Sequence, residues 1–76
     1  MRLDPERVKT YRELAGWNVR TASSKSSLSE KLWHRAERGD GILPESAAII
    51  AETLGVPISA IHADHVKIKE EYLTAS

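Results

Sequence analysis

Three histidines, His34, His62 and His65, and a scatter of acids are the side chains that could hold a metal or move a proton. His62 and His65 stand three apart, which suits one helical face, but no third ligand accompanies them and His34 lies on a different element. The chain has no cysteine, so neither a disulfide nor a thiolate metal site can form. A glycine-rich phosphate loop, a nucleophile motif and a paired-carboxylate spacing are also missing. The expectation is therefore no enzyme, no cofactor, no metal and no small-molecule ligand. What remains is the basic run Arg20, Lys25, Lys31, Arg35 and Arg38, set in a serine-rich stretch over residues 18–39. Cations spaced in this way suit the phosphates of a nucleic acid.

The local signals in that stretch specify two short helices joined by a tight turn. Asn18 is a good N-cap, with a side-chain oxygen able to hold an orphan N–H of the first turn. A helix over residues 19–25 follows, and the polar run from Ser23 to Ser27 covers its end and the turn. Ser29 is the next N-cap, opening a helix at about 29–38. Leu32, Trp33 and Ala36 fall on or near one face, with Glu30, Lys31, His34 and Arg35 turned outward. Gly39 and Gly41 stop it. A helix, a three- or four-residue turn and a second helix is the geometry that sets a reading helix into the DNA major groove.

The flanking elements must hold this unit. Asp4-Pro5 is a strong helix start, and Val8, Tyr11, Leu14 and Ala15 recur at spacings of three and four to give an apolar stripe. Gly16 closes that helix, and Trp17 points toward the core. After the Asp40-Gly41 turn, Ile42 and Leu43 cover part of the core before Pro44 opens a helix over 44–54. Its buried face is Ala47, Ile50, Ala51 and Leu54, with Glu45 favourable in the first turn. Val56-Pro57 begins a fifth helix anchored by Ile58 and Ile61. Beyond Asp64 the pattern fits either a short helix or an alternating strand, and periodicity does not decide.

At 76 residues the chain is one small domain, expected over 1–64, with a tail over 65–76 that serves for dimerisation or links to further sequence. A chain this short without disulfides favours compact all-helical packing. Apolar runs such as AAIIA are too short to span a membrane, and the first residues lack a signal-peptide apolar region. The chain thus reads as soluble and cytoplasmic. Net charge is zero, yet residues 1–38 hold nine Lys/Arg against five Asp/Glu, whereas residues 39–76 hold two against six. Such asymmetry suggests a basic working face and an acidic face turned elsewhere.

Taken together these residues resemble the phage repressor and Cro-type helix-turn-helix family, also known as the lambda-repressor-like and xenobiotic-response-element family. The resemblance covers residues 8–61. It rests on Arg12 and Gly16 in RELAG, on Glu37 to Gly39 in ERG, and on IAETLGVP from Ile50 to Pro57. The spacing from Gly16 to Gly39 matches the family without a gap. It implies an all-α bundle of about five short helices. It also implies sequence-specific binding of double-stranded DNA by a transcriptional regulator, a repressor, bacterial or phage-encoded and nucleoid-associated, acting as a homodimer.

By family position, Ser29, Glu30, Lys31, Leu32 and Arg35 face base edges, with Arg35 and Lys31 suited to guanine, Glu30 to cytosine N4 and Leu32 to a thymine methyl. Asn18, Arg20, Lys25, Arg38, Gly39 and Gly41 hold phosphates. Arg12 and Glu37 stand where the family often has a buried ion pair. Several departures stand out. Ala22 and Ala36 replace larger aliphatics while Trp17 and Trp33 replace leucine or isoleucine, which reads as an exchange of volume. Ser27 replaces the turn glycine, and Val19 replaces the glutamine that often braces a base-contacting side chain. The rival reading is a helix-turn-helix fold used for protein contact, favoured by zero net charge, Glu30 and the missing glutamine and glycine.

Overall fold

In the computed structural model, which describes residues 1–63, helix α1 spans Pro5–Leu14 and starts where proline removes an N–H that no helical carbonyl could have accepted. Asp4 caps it, its Oδ1 accepting from the backbone N–H of Glu6 at 3.0 Å and of Arg7 at 3.2 Å. The buried side chains of α1 are Val8 and Arg12, one turn apart. The expected stripe is corrected here: Tyr11 is half-buried, while Leu14 (77 % exposed) and Ala15 face solvent. Leu14 lies about 240° around the helix from Val8, and so cannot share its face.

Helix α2 (Val19–Ser26) is capped by Asn18, whose Oδ1 accepts from the Thr21 N–H at 2.8 Å. Helix α3 (Glu30–Ala36) is capped by Ser29, which accepts from Leu32 N–H at 3.1 Å. It is shorter than 29–38, because Glu37 is already its C-cap and Gly39 turns left-handed at φ 80°. A side chain at Gly39 would be strained by that φ, so glycine suits this position. Helix α4 (Pro44–Leu54) has the expected bounds and buries Ala47, Ile50 and Ala51. Leu43, expected in the core, is 68 % exposed, and Ile42 alone is buried there.

The described residues are all-α, with four α-helices rather than five. The expected fifth is a single 3-10 turn, Ile58–Ala60. It goes no further because Ile61 drops into the core and the chain then pairs with the N-terminus. Leu3 and His62 form an isolated antiparallel bridge, Asp4 N–H donates to Ile61 O at 2.7 Å and Ala63 N–H donates to Arg2 O at 3.2 Å. Met1 is tied to Ile42 through bonds of 2.8 and 3.0 Å. The tail over 65–76, whether helix or strand, lies outside the described residues.

The core centres on Trp33, with Leu3, Val8, Ile50 and Ile61 also fully buried. Ala22, Ala36 and Ala47 are equally buried, and small side chains there leave room for the indole. Trp17 departs from expectation: it is half-buried and packs at the edge of the core, so only one of the two indoles fills the interior. No helix among the described residues is long and apolar enough to cross a membrane.

Candidate nucleic-acid interface

The turn between α2 and α3 is held by side chains rather than by a glycine. Ser27 itself adopts the left-handed conformation, φ 62° and ψ 18°. Around it, the Ser23 hydroxyl donates to Leu28 O, and the Ser26 oxygen accepts from Leu28 N–H at 3.2 Å. The hydrogen bonds that serine offers to nearby backbone fit it to such a turn.

From this turn α3 projects with Trp33 and Ala36 fully buried beneath it. Ser29, Glu30, Lys31, His34 and Arg35 form its exposed face. Four of the five residues expected to face bases are thus brought together on one surface. Leu32 is the exception: it is half-buried and packs against the core, since it shares a face with Trp33 and Ala36.

The cations are not equivalent. Arg35 is exposed, and its Nη2–H donates to Gly41 O at 2.8 Å, bracing the loop that follows α3. Arg38 pairs with Asp40 at 3.0 Å, both side chains about half or more exposed. Lys25 places its ammonium 5.2 Å from the centre of the Trp17 ring, a cation–π contact. Arg20 is exposed in the first turn of α2, next to Asn18. Asn18 spends its carbonyl oxygen on the cap and keeps its amide N–H groups for other partners. Gly41 is exposed and Gly39 half-buried.

Beneath the far end of α3 lies the pair Arg12–Glu37. The guanidinium donates from Nε to Oε2 at 2.6 Å and from Nη2 to Oε1 at 2.9 Å, a bidentate fork, and from Nη1 to Trp17 O at 2.7 Å. The side chains are only 10 % and 12 % exposed. The hydrogen bonds to Glu37 raise the Arg12 pKa above its ordinary value, outweighing the opposing effect of burial.

The three histidines singled out by the sequence fall differently. His34 is exposed on α3, His62 sits in the bridge to Leu3, and His65 lies outside the described residues. No group of three His, Cys, Asp or Glu side chains among the described residues is placed to hold a metal. Sequence reasoning missed an open cleft between the end of α2 and α4, lined by Trp17, Lys25, Ile49 and Glu52. It also missed the bond from Trp33 Nε1–H to Ser26 Oγ, at 2.9 Å. The signal for the latter was present, a buried tryptophan seven residues from a serine, because a buried indole N–H needs an acceptor. Compared with known proteins, the chain matches no family model, no curated protein and no solved structure.

Proposed function

We propose that this is a sequence-specific double-stranded DNA-binding domain of the phage repressor and Cro type, a transcriptional regulator whose α3 enters the major groove. The observation that carries the reading is the unit α2–turn–α3. Two capped helices meet at a left-handed Ser27, and the second shows Ser29, Glu30, Lys31 and Arg35 to solvent while Trp33 and Ala36 anchor it from below. In this reading Arg35 and Lys31 read guanine edges, Glu30 accepts from cytosine and Ser29 contacts a nearby base or sugar. Leu32 lends only its outer edge to a thymine methyl. Arg20, Asn18 and the loop at Gly39 and Gly41 meet phosphates, with Lys25 and Arg38 at the margins. The buried Arg12–Glu37 pair supports this reading, because it stands at the two positions where the family often carries such a pair.

One reading helix of seven residues offers little contact, so the domain acts as a homodimer on two half-sites about one DNA turn apart. The place of action is the cytoplasm, on the nucleoid, for a protein that is bacterial or phage-encoded. Fluorescence anisotropy with a random duplex at rising salt tests the core of the proposal. A DNA binder loses affinity steeply along a straight log–log line, with a slope near −0.9 per phosphate neutralised.

A second reading has its own observation. Arg35 and Arg38 both spend donors inside the chain, on Gly41 O and on Asp40. A helix-turn-helix used for protein contact has no need of free cations. Binding to duplex that is absent, or flat with salt, selects this reading. An amide-shift titration with a short duplex then reports whether the α3 face responds.

A further inference from the structure

Helix α3 is too short to hold its own direction. Seven residues form about two turns, well under the length at which a helix is stable in water, so tertiary contacts decide where it points. Its fully buried side chains are Trp33 and Ala36. Apolar contact alone fixes depth better than direction, because the hydrophobic effect is non-directional. Directional bonds must supply the rest. Near the C-terminal end these are the fork between Arg12 and Glu37.

The directional contact between α2 and the middle of α3 is at Ser26. Its Oγ accepts from Trp33 Nε1–H at 2.9 Å and from Leu28 N–H at 3.2 Å. Its own O–H donates back to Ala22 O at 2.9 Å, with Ser23 O at 3.3 Å as a second acceptor. A hydroxyl has one donor and two acceptor lone pairs, so this oxygen is fully used. One atom thereby joins the last turn of α2, the left-handed turn and the middle of α3. Trp33 is fully buried, so its N–H has no water to turn to if Ser26 is lost.

We propose that Ser26 is a positioning residue that, with Arg12–Glu37, sets the direction in which α3 is presented. The importance of that direction rests on the DNA-binding reading; the structural role does not. With Ser26 removed, the fork to Glu37 and the Ser23–Leu28 bond in the turn remain, but the bond from α2 to the middle of α3 is gone, and α3 pivots about its Glu37 end. The displacement is largest at the end remote from Glu37, where Ser29, Glu30 and Lys31 lie. Base contacts tolerate roughly 0.5 Å and 10–20° of misplacement, whereas phosphate contacts by long flexible side chains tolerate more. Ser26 therefore governs sequence preference and leaves non-specific binding alone.

The test uses Ser26→Ala and Ser26→Thr in the full 76-residue chain. Residual dipolar couplings of backbone amides give the direction of α3 relative to α1 and α4 without any DNA. The expected result is a rotation of α3 of more than about 10° in Ser26→Ala, reversed in Ser26→Thr, which keeps the hydroxyl. Should Ser26→Ala not fold, Ser26→Cys takes its place, and its longer, weaker bonds must turn α3 in the same sense. An unchanged α3 direction in a folded Ala or Cys variant overturns the proposal, whatever DNA does. A duplex selected from a random pool on the wild-type protein supplies the second readout. Ser26→Ala should lower the ratio of selected to random affinity by roughly tenfold or more, with the salt slope unchanged. A merely destabilising role would lower the melting temperature and leave that ratio intact in the folded protein, and this too overturns the proposal. If the wild type selects no duplex while α3 still turns in Ser26→Ala, the positioning role stands and the DNA-binding reading falls.

Discussion

Arg12 and Glu37, 25 residues apart in sequence, meet in two nearly parallel bonds of 2.6 and 2.9 Å that tie α1 to the end of α3. Trp17 O takes a third donor of the same guanidinium at 2.7 Å, so the pair also fixes the approach to α2. A buried ion pair is costly to desolvate, and its worth is best seen when one partner is removed. Arg12→Ala or Glu37→Ala should each destabilise the domain by about 3–5 kcal/mol, because each leaves an uncompensated charge. The double variant should cost clearly less than the sum. Chemical denaturation of the three variants measures the coupling, and a value near zero would return both residues to independent surface charges.

The pH dependence of that pair follows from its sign. The folded state raises the Arg12 pKa, so the corresponding stability is complete below the ordinary arginine value and is lost only as pH rises through the higher folded value. The guanidinium contribution should therefore be constant across the neutral and moderately alkaline range. Unfolding curves of wild type and Arg12→Ala between pH 7 and 10 should run parallel; a difference that shrinks over this interval contradicts the assignment.

Trp33 is fully buried at the centre of the core. Trp33→Ala should cost about 3–5 kcal/mol, enough to unfold most of a domain this small. Trp33→Phe keeps much of the volume but loses the N–H given to Ser26, and should fold with lower stability. A thermal melt of Trp33→Ala that matches the wild type would remove it from the core.

Ser27 holds φ 62° without the freedom of glycine. Ser27→Gly should relieve that strain and stabilise by about 0.5–1 kcal/mol after the greater freedom of glycine in the unfolded chain is deducted. In a chain this size that is a rise of roughly 2–8 °C in melting temperature. A fall would mean that the Ser27 side chain contributes more than its backbone strain costs.

Arg35 and Arg20 are assigned different work on DNA. Loss of Arg35 should cost about 1–3 kcal/mol on the selected duplex and relax preference at one base pair. Loss of Arg20 should weaken all duplexes alike and lower the salt slope by about one. Since Arg35 also holds Gly41 O, the Arg35→Ala amide spectrum should shift around residues 39–41 in the free protein. Equal affinity of wild type and Arg35→Ala for selected and random duplexes would end the assignment of α3 as the reading helix.

The homodimer is decided by stoichiometry. On a palindromic duplex carrying two half-sites, sedimentation at saturation should give two chains per duplex. One chain per duplex rejects the dimer.

Much of this architecture was already legible in single residues, because helix ends are local chemistry. Asp4-Pro5, Asn18, Ser29 and Pro44 each start a helix where the cap or the ring predicts it. Ser27 stands where the resemblance puts a turn glycine and takes the left-handed conformation, and Arg12 and Glu37, which the same resemblance pairs, meet in the fold. Burial was legible only where both neighbours of an element could be guessed. Leu14 has the right residue type for a core and the wrong angle around α1, whereas Arg12 has the wrong type and the right angle. Trp17 packs at the core edge, with the Lys25 ammonium over its ring, while the Trp33 indole occupies the centre. Nothing in the first three residues marks Leu3 as fully buried; it is so because the chain after Ile61 returns to pair with it. The same return ends the 3-10 turn after three residues, where periodicity alone allowed a fifth helix. The exposed cations were equally visible as letters, but only the folded loop after α3 gave Arg35 a carbonyl and Arg38 a carboxylate within hydrogen-bonding distance. Caps and left-handed turns depend on a few consecutive residues and are written in the chain; depth, direction and pairing depend on which distant segments meet, and those only the packed structure decides.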